Sequence, residues 1–202
     1  MMNLPKNILI VRTDRIGDVV LTLPVAPILK KYFPDSKVSF LLRNYTAPLA
    51  KNNISIDEVI SVDEKNGKVQ ILSNVKKLKG KFDTCIVAYP TFRIALILFL
   101  SGIKIRIGTG YRWYSFLFNK KIYDHRKISE YHELEYNVRL LRAFGINEKI
   151  TPDNVQFNLQ PESESRHFIE EKLISNFLPN SLQKILNEIK NEKNFNDFKY
   201  II

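Results

Sequence analysis

The sequence predicts an α/β protein in which a mostly parallel sheet carries helices on both faces. Three observations lead there. Short, nearly continuous apolar runs bounded by turn residues recur through roughly the first half of the 202 residues, as strands buried on both faces require. Segments with helical apolar spacing lie between them. Runs and helical segments alternate at the spacing of βαβ units, which join parallel strands.

The elements follow in order. Residues 7–12 (NILIVR) form the first strand, and a short polar turn follows at 13–17. Residues 18–33 form a helix with Val20, Leu23, Ile28 and Leu29 on one side. Its start is irregular or kinked, because Pro24 and Pro27 fall in its first turns. Strands are expected at 37–42, 58–62, 82–88 and 103–107, and helices at 47–51, 69–78 and 93–101. Gly102 closes the last of these as a C-terminal stop. Residues 111–123 are aromatic and basic without clear periodicity. Residues 130–144 read as an amphipathic helix, with Leu134, Val138 and Leu141 at helical spacing and Gly145 behind it. A strand is expected at 154–159, helices at 162–177 and 181–192, and a buried strand at 198–202. Residues 187–197 are rich in Asn and charge and suit a flexible loop. A chain that stops in what reads as a central strand is expected to be a fragment of a longer protein.

Composition bounds the chemistry. Hydrophobic residues make up 45% of the chain and charged residues 26%, which excludes disordered and collagen-like chains. The single cysteine, Cys85, excludes a disulfide framework and a cysteine-built metal site. It lies in a predicted strand and reads as core. The longest apolar run, Ile94 to Leu100, is seven residues, far short of the about 20 a membrane span needs. The N-terminal apolar run is cut by Arg12, Asp14 and Arg15, unlike a signal peptide. A soluble, cytoplasmic setting is expected.

Charge is uneven. Residues 1–150 carry 25 basic and 13 acidic side chains, and residues 151–202 carry 6 and 8. Between Lys104 and Lys127 there are seven basic residues and one acidic. Such a surface attracts phosphates, whether of nucleic acid, anionic lipid or a phosphorylated substrate. A nucleic-acid partner is not expected, because helix-turn-helix, RRM and zinc signatures are all missing.

In open parallel sheets the first strand-to-helix turn is a favoured ligand site. Here it reads Arg12-Thr13-Asp14-Arg15-Ile16-Gly17-Asp18. One glycine fails the dinucleotide fingerprint, and no G-K-[ST] marks a P-loop. Two basic and two acidic side chains crowd one turn. Gly17 permits close backbone approach or an unusual φ. Asp18, near a helix N-terminus that favours its ionised form, is a candidate general base; the plainer alternative is a helix cap paired with Arg12 or Arg15.

Residues 8–24 (ILIVRTDRIGDVVLTLP), followed by 29–34 (LKKYFP), closely resemble the opening of glycosyltransferase family 9, the ADP-heptose:lipopolysaccharide heptosyltransferases. The resemblance continues at 101–108 (SGIKIRIG) and 132–137 (HELEYN), with Leu140, Leu141, Phe144 and Gly145 behind. It implies the N-terminal half of a GT-B fold. A Rossmann-like acceptor-side domain would occupy residues 1–155, and 156–202 would be linker helices and the first strand of a truncated donor domain. Asp18 matches the aspartate of the family's Gly-Asp motif, read as the catalytic base. Arg12 falls where the family carries Lys or Arg, while Thr13, Asp14 and Arg15 fill a loop that is Ser-rich in some members.

The implied reaction is inverting transfer of a heptose or related sugar from an ADP-sugar to an anionic lipopolysaccharide core. Neither metal nor cofactor is expected. Arg12, Thr13, Asp14, Arg15 and Gly17 are expected near substrate, and Arg112, Lys120 and Lys121 at the acidic glycolipid. Trp113, Tyr114 and Arg126 suit the same headgroup; the alternative is a solvated loop with its aromatics tucked on the core. A peripheral position on the inner face of the inner membrane is compatible with this reading. His132 is expected to make a structural hydrogen bond at a helix start and Asn137 a structural contact. His125 and His167 have no ligand-spaced partner. The rival reading is a non-enzymatic Rossmann-like module that binds a nucleotide or polyanion.

Overall fold

The structure, a computed structural model, describes residues 4–124 and 130–160 and, beyond them, only 168, 169 and 172. The expected helices at 162–177 and 181–192, the loop at 187–197 and the strand at 198–202 lie outside the described residues, as do His125, Arg126 and His167. Two compact units, Met1–Gln160 and Pro161–Ile202, divide the chain. The first holds everything below.

Six strands build one sheet: β1 (Asn7–Val11), β2 (Lys37–Leu42), β3 (Glu58–Ser61), β6 (Thr84–Val87), β7 (Ile105–Thr109) and β8 (Lys120–Ile122). They lie in the order β3-β2-β1-β6-β7-β8, and every neighbouring pair is parallel. The chain therefore runs outward from β1 to one edge, returns to β6 beside β1, and runs outward again. That is the doubly wound Rossmann order, with a topological switch between β1 and β6. The central strands are apolar because both faces are covered. Ile8 and Ile10 face the core under α1 (Ile16–Val20), α2 (Val25–Tyr32), α3 (Pro48–Lys51) and α6 (Glu133–Arg139). Leu9 and Val11 face the core under α4 (Ile71–Leu78) and α5 (Phe92–Leu100).

Most sheet elements sit where the sequence places them, and the differences have local causes. The single helix expected at 18–33 is two short helices, α1 and α2, joined by a tight turn at 21–24. Pro24 has no N–H to donate, and the Thr22 N–H donates to the Val19 carbonyl, leaving the Asp18 carbonyl to accept from Thr22 Oγ1 at 2.7 Å. The expected start of a helix at Val69 is a small hairpin, β4 (Glu64–Lys65) with β5 (Lys68–Val69). Its turn is Asn66-Gly67, both at positive φ, which is a strong hairpin signal. The helix expected at 130–144 is α only over Glu133–Arg139 and continues as a 3-10 turn over Leu140–Phe144, ended by Gly145 at φ 80°. Residues 154–159 are not a strand. Asn154 turns back to Thr151, and the Phe157 carbonyl accepts from Asn53 Nδ2 at 2.8 Å rather than from a neighbouring strand. Strand β8 is new: three residues, KKI, are too few to show a period.

Cys85 lies fully buried in β6, and burial pushes its thiol up to about 12. A thiol with so little thiolate at neutral pH is unreactive. Ellman's reagent is therefore expected to leave the native protein unmodified and to titrate one thiol after unfolding; prompt native labelling would show this strand to be open.

Candidate active site

The site grows from the end of β1. The strand delivers Arg12 into the interior, 2% exposed, with its N–H donating to the Leu41 carbonyl of β2 at 3.1 Å. A buried guanidinium needs partners for its whole fork of donors, and the surrounding elements supply them. Nε donates to Asp14 Oδ1 at 2.7 Å, Nη2 lies 3.0 Å from Asp18 Oδ1, and Nη1 donates to Glu133 Oε1 at 2.8 Å and Asn137 Oδ1 at 3.1 Å. The Tyr89 ring, just past β6, lies 6.0 Å from the guanidinium carbon.

Glu133 and Asn137 stand four residues apart on one face of α6. Asn137 is fully buried. Its Nδ2 donates to the Leu21 carbonyl and Thr22 Oγ1, both at 3.1 Å, so α6 is bonded to the α1–α2 turn as well as to Arg12. His132 begins this helix by accepting from the Leu134 N–H at 3.3 Å, the structural bond expected of it. The Tyr45 hydroxyl closes the loop from outside by donating to the Asp14 carbonyl.

Three carboxylates thus meet one guanidinium. Burial opposes the Arg12 charge, but the Asp14 and Glu133 carboxylates outweigh it and hold the guanidinium above the usual arginine range. Burial pushes the Asp14 carboxyl above its ordinary value, and the charge of Asp18 adds to this against the pull of Arg12. Asp14 is nearly enclosed, its side chain 12% exposed, whereas Asp18 in the first turn of α1 keeps 30%. Asp18 is the more open of the two carboxylates in the turn and is held in one place. Among the described residues no set of three or more His, Cys, Asp or Glu side chains is arranged to hold a metal ion.

The other expected residues separate. Thr13 is buried and Arg15 exposed. Gly17 is helical, not at the unusual φ the sequence suggested, and a Cβ there would meet nothing within 4 Å. Glycine in a helix is about 1 kcal/mol worse than alanine, and no neighbour in the chain requires it; the space above it opens to solvent beside Asp18.

Arg112 borders a cavity of about 510 Å³ at the ends of β6, β7 and β8. Its walls include Tyr89, Thr109, Tyr111, Asp124 and Tyr136. Tyr89 is common to the cavity and to the Arg12 cluster. Tyr114 is buried and donates to the Pro90 carbonyl at 2.7 Å, while Trp113 stays exposed. Lys120 and Lys121 are neighbours in β8 and point to opposite faces of the sheet, and neither is among the described residues lining the cavity. Sequence reasoning missed Glu133, Tyr89 and Tyr136. The signal for Glu133 was present in HELEYN, where an acid and an amide stand one helical turn apart.

No family model matches the chain. A putative glycosyltransferase of Haemophilus influenzae is 34% identical over 140 residues, covering 69% of this chain and 40% of the relative. Lipopolysaccharide heptosyltransferase 3 of Escherichia coli is 24% identical over 148 residues, covering 70% and 44%. The chain thus spans less than half the length of these curated relatives. Among solved structures, a glycosyl transferase family 9 protein of Veillonella parvula superposes with a TM-score of 0.73 at 23% identity, over 87% of this chain and 50% of that one. The E. coli heptosyltransferase WaaC with ADP superposes at 0.64 and 20%, over 81% and 53%. Shared sequence with the first two, and a shared half of the GT-B fold with the others, agree: the chain resembles the N-terminal part of glycosyltransferase family 9 proteins, and its curated relatives are glycosyltransferases and lipopolysaccharide heptosyltransferases.

Proposed function

We propose that this chain supplies the acceptor side and the general base of an inverting glycosyltransferase. The enzyme moves a heptose or related sugar from an ADP-sugar to an anionic lipopolysaccharide core. The observation that carries the reading is Asp18, a partly open carboxylate at the sheet's switch point, tethered to a buried guanidinium at 3.0 Å. The acceptor hydroxyl gives its proton to Asp18 as its oxygen bonds to the anomeric carbon. The bond from that carbon to the diphosphate breaks on the opposite face, and ADP leaves with the electron pair. A carboxylate positioned for such a transfer is worth about 10²–10⁴ in rate.

The local charge favours this role over a phosphate seat. Arg12 is committed to protein partners, and three carboxylates surround it. A diphosphate would be repelled here, so its place is on the facing donor domain that the family resemblance implies. The cavity beside Tyr89 suits the acceptor: tyrosine rings stack on sugar faces, and Arg112 pairs with acidic groups. Arg15 and Gly17, both exposed, border the approach to the attacking hydroxyl, while the buried Thr13 and the nearly enclosed Asp14 hold the turn behind them. The proposed setting is the cytoplasmic side of the inner membrane. No helix among the described residues is long and apolar enough to cross a membrane.

The test is a transfer assay with the full-length protein, ADP-heptose and a core acceptor lacking that heptose, with EDTA present. The expected product carries the inverted anomeric configuration by NMR; retained configuration would remove the single-base mechanism. The 202-residue chain by itself is expected to show neither transfer nor calorimetric affinity for the ADP-sugar, because orientation of the donor can be worth about 7–11 kcal/mol of the barrier. Tight ADP-sugar binding by that chain alone would favour the self-contained nucleotide-binding module instead.

A further inference from the structure

From Thr84 through Tyr123 the chain has 40 consecutive residues without an Asp or Glu and with six Lys or Arg. The fold gathers part of that stretch on one surface. Helix α5 buries Ile94, Ala95, Ile97 and Leu98 against the sheet. Its outer side is apolar as well: Phe92, Leu96 and Phe99 recur at helical spacing, and Phe92 and Phe99 are exposed. A solvated helix carries polar side chains there. The Ser115–Leu117 turn extends the surface. It packs on α5, leaves Phe116 66% exposed, and follows Trp113, which is 73% exposed with its ring stacked on Phe92 at 4.9 Å between centroids.

Positive charge borders these rings. Arg106 lies 5.2 Å from the Phe99 centroid, and Arg93 caps the α4 side by donating to the Val69 carbonyl. Lys121 pairs in register with Gly108, which abuts the Phe118 ring, so Lys121 faces the α5 side of the sheet. Lys120, one residue before, faces the other side.

We propose that the outer face of α5, together with Trp113 and Phe116, docks the protein onto an anionic lipid bilayer surface. Exposed Trp and Phe partition into the headgroup region, and each nearby Lys or Arg adds attraction to an anionic leaflet. The absence of any acidic side chain over this stretch is the charge complementarity that selects an anionic bilayer among apolar partners. The proposal does not depend on glycosyl transfer, and its test uses vesicles with no sugar acceptor.

Trp113 is the single tryptophan of the chain, so its emission reports this surface alone. With vesicles of phosphatidylcholine and phosphatidylglycerol at about 7:3, at low salt, the emission is expected to shift to the blue and to be quenched by brominated lipid. Phosphatidylcholine alone should do neither, and high salt should weaken the shift. Phe116→Ser keeps the probe, and Trp113→Ser is followed by co-sedimentation. Both replace solvent-exposed rings, so the fold should survive, as circular dichroism would verify. Each should weaken vesicle binding by about tenfold. Lys121→Glu should weaken it more than Lys120→Glu. Unshifted emission of the unaltered chain with anionic vesicles would overturn the proposal, and needs no variant to fold. An equal shift with zwitterionic vesicles would overturn it too. So would a blue shift produced by protein concentration alone, which would assign the face to a second copy of the chain.

Discussion

In the full-length protein, with Asp18 as the proposed base, Asp18→Asn is expected to keep the fold and normal acceptor binding and to turn over at least about 10²-fold more slowly. Asparagine has nearly the shape of aspartate, and its Oδ1 can still accept from Arg12 Nη2, which lies 3.0 Å from the native carboxylate. What it lacks is a basic oxygen for the proton of the attacking hydroxyl. Because the Asp18 side chain is 30% exposed, the ion pair is screened, and its loss should change stability by no more than about 1 kcal/mol. The measurement pairs single-turnover kinetics with a melting curve. Near-normal turnover with a native melt would remove Asp18 as the base; Glu133, the other partly open carboxylate on Arg12, would then be the next to test.

Arg12→Met should have the larger structural effect. Methionine matches the aliphatic stem but leaves Asp14, Asp18 and Glu133 facing one another around an uncharged side chain, and leaves the buried Asn137 Oδ1 without its Arg12 donor. Breaking a buried pair costs about 3–5 kcal/mol. The carboxylates here are partly exposed and can turn to water, so about 2–4 kcal/mol is expected, a fall in Tm on the order of 10 °C. Turnover should fall even well below the new melting point, because the carboxylate of Asp18 is no longer held. Arg12→Lys keeps the charge without the fork and cannot serve four partners at once. It should recover part of the stability and little of the turnover. Full recovery of turnover by Arg12→Lys would show that charge alone, not the forked geometry, positions the base.

The two substitutions separate what the sequence carries from what the fold adds. The sheet was legible because burial on both faces writes itself as apolar runs: NILIV, KVSFLL and TCIV read as strands whatever surrounds them. The turn after β1 is legible too, because four charges within seven residues at a strand's end mark a polar cluster beside the sheet, whether it caps a helix or meets a ligand. Where local cues are weak or brief, they do not determine the element. The hairpin at Asn66-Gly67 is signalled by two residues only, and the KKI strand is defined only by its pairing with β7.

Which side chains meet was beyond the reach of any local pattern. Glu133 lies 121 residues from Arg12 and Asn137 lies 125 away. They arrive because α6 covers the same face of the sheet as α1, and no periodicity encodes a contact across that distance. The sequence alone determined that the first turn holds an acid beside a base and that the chain is positively charged around residues 104–127. Only the tertiary structure decided that Arg12 is a buried hub whose guanidinium meets Asp14, Asp18, Glu133 and Asn137. The same holds for Lys120 and Lys121, which diverge across the sheet, and for the outer face of α5, which is left apolar. Charge and hydrophobicity are properties of single residues, whereas burial and partnership belong to the arrangement of all of them.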